Sequence, residues 1–189
     1  MTRAFAEVRR ILAERARTRR NPFAHTEPET AVAILERLSS TEHAPWVAAF
    51  MAEAEACAAR RDWRGAYGYS RVARYPSLTS EEKRAAYVRS RDWYLRSVAE
   101  RDPATLRIEI PFAARAGEGL CVPAYLRVPR ASAPRPVVVT WGGIDAFKEE
   151  RRTDAFVAEG WATLAIDMPG TGEAPISGAG DAERMWDAV

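Results

Sequence analysis

Apolar residues recur at three- and four-residue spacing over roughly the first hundred positions, and after Pro103 the spacing falls to two. Phe5, Val8, Ile11 and Leu12 form one stripe and predict a helix from residue 3 to about residue 20, broken by Asn21-Pro22. Thr26-Glu-Pro-Glu29 reads as a capping box with Pro28 in the first turn. It opens a short helix bearing Val32, Ile34, Leu35 and Leu38. An alanine-rich helix follows from about Pro45 to Arg60, with Trp46, Val47, Phe50, Met51 and Cys57 on its apolar side. Asp62 is placed to cap a fourth helix holding Trp63, Tyr67, Tyr69 and Tyr75, which Pro76 ends. Thr79-Ser-Glu-Glu82 reads as a second capping box, before a helix reaching about Arg101.

Beyond Asp102-Pro103 the alternation of Leu106, Ile108 and Ile110, then of Leu120, Val122, Ala124, Leu126 and Val128, predicts an antiparallel hairpin with one solvated face. Pro129 to Pro136 is a proline-rich link. The β-branched run Val137-Val-Val-Thr140 predicts a buried parallel strand that ends in Gly142-Gly143. A helix from about Ala146 to Ala158 is expected next, then a second buried strand, Trp161 to Asp167. That strand runs into Asp167-Met-Pro-Gly-Thr-Gly172, and a last helix begins near Asp181. A strand–turn–helix–strand unit makes the two strands parallel through a right-handed crossover. Their carboxyl ends then lie side by side, and both glycine turns face one crevice. The expected organisation is an all-helical domain over 1–103 and an α/β domain over 104–189.

The candidate chemistry sits at that sheet edge. Backbone N–H groups after a parallel strand can hold an oxyanion, and here the donors would be Gly143 and Ile144. A dinucleotide site is disfavoured, because neither G-x-G-x-x-G nor a P-loop occurs. Asp145 either caps the next helix or projects into the crevice, and Trp141 either walls the pocket or fills core. Lys148, Glu149 and Glu150 read as a solvated first helical turn, and Asp167 as tying its own turn through backbone bonds. Trp63, Tyr67 and Trp93 are either core or the lining of a pocket for an apolar or aromatic small molecule.

Composition narrows the partners. With 47% apolar residues a real core is affordable, and a net charge of +2 calls for neither nucleic acid nor membrane. The arginines at 15, 17, 19 and 20 read as a solvated helix end. Cys57 and Cys121 have neither metal nor disulfide spacing, which points to a reducing, cytoplasmic setting. No apolar run is long enough to span a bilayer, and no metal or cofactor motif is present.

Trp141-Gly-Gly-Ile-Asp145, Lys148-Glu-Glu150 and Asp167-Met-Pro-Gly-Thr-Gly-Glu173 resemble the FrsA-like, 2,6-dihydroxypseudooxynicotine hydrolase-like α/β-hydrolases. The resemblance implies a helical cap on an α/β-hydrolase fold, and a serine hydrolase acting on an ester or on a carbon–carbon bond beside a carbonyl. It implies an acyl-enzyme and no cofactor, and it is compatible with a homodimer. The family's nucleophile lies in a later G-x-S-x-G, whereas Ser177 here sits in Pro-Ile-Ser-Gly-Ala and both histidines, His25 and His43, lie in the helical part. The expectation is therefore an α/β-hydrolase fold truncated before the nucleophile elbow. Such a chain supplies a cap and part of an oxyanion hole and is inactive alone. The alternative is a non-catalytic helical interaction module whose degenerate α/β domain binds a partner or an anion.

Overall fold

The computed structural model describes residues 3–130 and 136–189, so most of the proline-rich link lies outside the described residues. The chain divides into two compact units, Met1–Ser97 and Val98–Val189.

The first unit is all helix. α1 (Arg3–Arg17) packs on α2 (Pro28–Arg37), and α4 (Trp63–Arg74) packs against both α3 (His43–Ala59) and α5 (Glu81–Ser97). α4 is central, being buried from Gly65 to Arg74. Gly68 lets it pass close to the loop before α2, because a Cβ there would come within 2.3 Å of the His25 carbonyl oxygen. Asp62 caps α4 as the sequence predicts, accepting from the Gly65 N–H at 2.9 Å.

Three local expectations are corrected. On α1 the buried residues are Ala13 and Ala16, while Val8 and Ile11 are exposed, so the seam runs along small residues that allow close approach. The Thr26 box does not form, because the buried Thr26 hydroxyl donates back to the Phe23 carbonyl and α2 starts after Glu27. The second box shifts by one residue. Ser80, rather than Thr79, accepts from the Lys83 N–H at 3.3 Å, and α5 ends at Ser97.

The second unit is built on one four-stranded sheet in the order β1-β2-β4-β3. β1 (Leu106–Pro111) and β2 (Cys121–Arg127) form the expected antiparallel hairpin, β2 pairs antiparallel with β4 (Ala162–Ile166), and β3 (Val137–Thr140) runs parallel to β4. One face carries Val122, Ala124, Leu164 and Ile166 into a core with Phe112, Ile176 and Met185. β2 departs from the one-sided expectation. It lies between two strands, and both its faces are covered from Val122 to Tyr125. β3 is a half-exposed edge strand rather than a buried one, with Val137 54% exposed.

The expected helix over 146–158 resolves into a 3₁₀ turn, Lys148–Glu150, and a short α6, Asp154–Ala158. The last helix is likewise a 3₁₀ segment, Ala182–Ala188.

Candidate active site

β3 and β4 are parallel neighbours with Thr140 opposite Ala165, so the loops that leave them start from the same sheet edge. The first loop carries Trp141, Gly142, Gly143, Ile144 and Asp145. Gly142 is required by its own loop, because a Cβ there would lie 1.7 Å from the Ala146 carbonyl oxygen. Gly143 faces open space, its nearest neighbour for such an atom being Asp145 Oδ1 at 3.7 Å. The Gly143 carbonyl accepts from the Ala146 N–H at 3.3 Å, closing the turn. Among the described residues neither the Gly143 nor the Ile144 N–H donates to a backbone carbonyl, and Ile144 is 70% exposed. Both donors therefore stay available to an incoming acceptor. Trp141 is half exposed and its ring meets Trp186 at 5.1 Å, so it is not core filler. No helix starts at Asp145, which removes the helix-cap reading of that side chain.

The loop is followed by a cluster of charges in which Lys148 and Glu149, expected in a solvated helical turn, lie inside. Lys148 and Glu149 are both buried. The Lys148 ammonium lies 2.7 Å from Asp167 Oδ2, 2.7 Å from Glu173 Oε2 and 3.4 Å from Glu149 Oε1. Its backbone N–H also donates to Asp167 Oδ1 at 2.8 Å. Tyr125, from β2, donates its hydroxyl to Glu149 at 3.1 Å, and Arg107, from β1, makes a two-pronged contact with Glu173 at 2.7 and 2.9 Å.

Asp167 does tie its own turn, as expected, accepting from the Glu173 N–H at 2.8 Å. It is also the clamp that joins the two loops. Gly172, at φ +51°, leaves room for it, since a Cβ there would lie 2.3 Å from Asp167 Oδ2. A buried cation with three carboxylates and a buried tyrosine is the arrangement that desolvation demands, because each ion removed from water must be paired. The complementary charges of Lys148 and these acids are present in the sequence, but nothing in their spacing pairs them. The assumed helix had placed them outside.

A cleft of about 310 Å³ runs beside β3, lined by Val139, Thr140, Trp141, Arg151 and Arg152. The Arg151 guanidinium donates to the Trp141 carbonyl at 3.2 Å, which holds the start of the loop. Trp63 and Tyr67 belong to the helical unit. Tyr67 is buried, 5.2 Å from the Tyr94 ring, and Trp63 is half-buried beneath the Arg96 guanidinium at 4.8 Å.

Residues 41–177 match the model of the esterase FrsA-like family, which is most of the chain. The chain belongs to the FrsA-like family. This FrsA-like chain is 33% identical over 125 residues to Esterase FrsA of Salmonella paratyphi B and to that of Salmonella newport, covering 64% of itself and 29% of each relative. It thus spans under a third of the length of the curated relatives it matches.

Among solved structures, AbyA5 superposes with a TM-score of 0.72 at 23% identity, over 85% of this chain and 47% of that one. A 2,6-dihydroxy-pseudo-oxynicotine hydrolase superposes with a TM-score of 0.57 at 24% identity, over 95% and 51%. These likenesses establish the α/β-hydrolase fold and cover about half of each neighbour.

Proposed function

We propose that this chain supplies the oxyanion loop and a helical cap of a serine hydrolase. That hydrolase cleaves an ester, or a carbon–carbon bond beside a carbonyl, through an acyl-enzyme. The observation that carries the reading is the loop at the carboxyl end of β3, in which the Gly143 and Ile144 N–H groups donate to no backbone carbonyl, in a chain of the FrsA-like family. When a nucleophile adds to the substrate carbonyl, its oxygen takes up negative charge. The Gly143 and Ile144 N–H groups would donate to that oxygen, and loss of one such donor typically costs about 10²–10³ in kcat. Lys148 and Asp167 act at one remove, by fixing the loop that presents the donors. Trp141 and Asp145 would border the substrate.

The second unit contains no histidine, and Ser177 lies in a loop without an elbow pattern. The reading therefore assigns the nucleophile and its base to polypeptide other than these 189 residues. The test is hydrolysis of short-chain aryl esters by the 189-residue protein. No turnover above buffer is expected, and turnover that survives purification and falls on changing Gly143 would overturn the assignment.

A further inference from the structure

The helical unit holds a separate cavity of about 290 Å³, with Lys83 and Trp46 buried in its wall and Val8 and His43 exposed at its rim. Lys83 is only 4% exposed. Among the described residues its ammonium has neither a hydrogen-bond acceptor nor an ion-pair partner, in contrast to Lys148 with its three carboxylates. A lysine side chain enclosed in this way with no counter-charge beside it is a place where a bound anion would be stabilised.

The lining is matched to one. Its polar members, Lys83, His43, Tyr75 and Thr41, can all donate a hydrogen bond, and none is a carboxylate. Glu82, the nearest acid along α5, is exposed, and its carboxylate is held below the usual range first by a hydrogen bond to Ser80 and more weakly by the charge of His43 at the rim. The remaining wall is apolar, formed by Val8, Leu12 and Trp46, and the Trp46 ring is fixed by its indole N–H donating to the Val72 carbonyl at 2.9 Å. Burial pushes the Lys83 ammonium below its ordinary value, and no carboxylate counters that shift. At about 30 Å³ per water the cavity has room for roughly ten waters, the size of a single-ring or short-chain organic acid.

We infer that this cavity binds a small carboxylic acid with an apolar body, its carboxylate paired with Lys83 and its body laid against Trp46, Val8 and Leu12. The site is built wholly within the helical unit and does not depend on the proposed hydrolase function.

The test is calorimetric titration of the 189-residue protein with benzoate, set against its neutral isostere benzamide. Benzoate is expected to bind at least about tenfold more tightly than benzamide. Lys83→Met should remove that preference and Lys83→Arg should retain it. Val8→Trp fills the rim from an exposed position and leaves Lys83 intact, so it should weaken benzoate even if Lys83→Met fails to fold. Equal binding of benzoate and benzamide, no benzoate binding to the folded protein, or benzoate binding undiminished by Val8→Trp would overturn the inference.

Discussion

Lys148 is held by three carboxylates at the point where the Gly142–Asp145 loop returns to the sheet. Removing one partner of a buried ion cluster strands the others without a counter-charge and typically costs about 3–5 kcal/mol. Lys148→Met is expected to destabilise the second unit by that amount, measured by urea denaturation. A loss under about 1 kcal/mol would mean that the cluster is not what pins the loop.

The two loop glycines separate sterically. Gly142→Ala drives a Cβ into the Ala146 carbonyl and should lower the melting temperature, whereas Gly143→Ala meets open space and should leave it unchanged. Cys57 supplies a third check. Burial, ahead of any neighbouring charge, pushes its thiol up to about 11. The native protein should leave Cys57 unmodified by a disulfide reagent at pH 8, and modification should follow only on unfolding.

At the level of elements, sequence periodicity found what depends on long-range burial and missed what depends on single contacts. The five helices of the first unit and the β1–β2 hairpin were legible from their periodicity, although α1 buries Ala13 and Ala16 rather than the expected stripe, and the parallel pairing of β3 with β4 was legible from the order of elements. The helix expected over 146–158 was not. The buried Phe147 ring and the Lys148–Asp167 clamp hold the chain in a 3₁₀ turn, and regular α-helix begins only at Asp154. The loop after β3 was legible from Gly142-Gly143 after a β-branched run. The clamp beneath it was not, since complementary charges far apart in sequence carry no period.

β3 is one of the two outer strands of the sheet and leaves backbone groups open along one side. An apolar edge of this kind invites self-association. Val137→Lys, at an exposed position on β3, is expected to reduce concentration-dependent light scattering of the 189-residue protein. Unchanged scattering would place the sticky surface elsewhere.

Across the molecule, the second unit has an acid-sensitive fastening. Arg115 binds the Asp181 carboxylate, and Arg184 binds Glu118 at 2.5 Å, tying the turn after β1 to the start of the last 3₁₀ segment, residues 181–184. The Glu118 carboxyl is held below its ordinary range first by the Arg115 backbone N–H, and that of Asp181 first by the Arg115 side chain. Groups depressed in this way stabilise the fold above the ordinary carboxylate range, and the contribution is lost as pH falls through their lowered values. Melting temperature should therefore fall between about pH 5 and pH 3, and Glu118→Gln should flatten that slope. The Arg115–Asp181 pair is exposed, so added salt should weaken its share of the effect, and that of the part-buried Arg184–Glu118 pair less.

The proposed function rests on the loop after β3, and the proposed acid site on the cavity of the helical unit. The most direct measurement is the intact mass of the natural protein after reaction with a fluorophosphonate serine probe. The account predicts a mass well above 21.0 kDa carrying one adduct, on a serine outside residues 1–189. An adduct on a serine within these residues, or an unlabelled protein of 21.0 kDa, would contradict it.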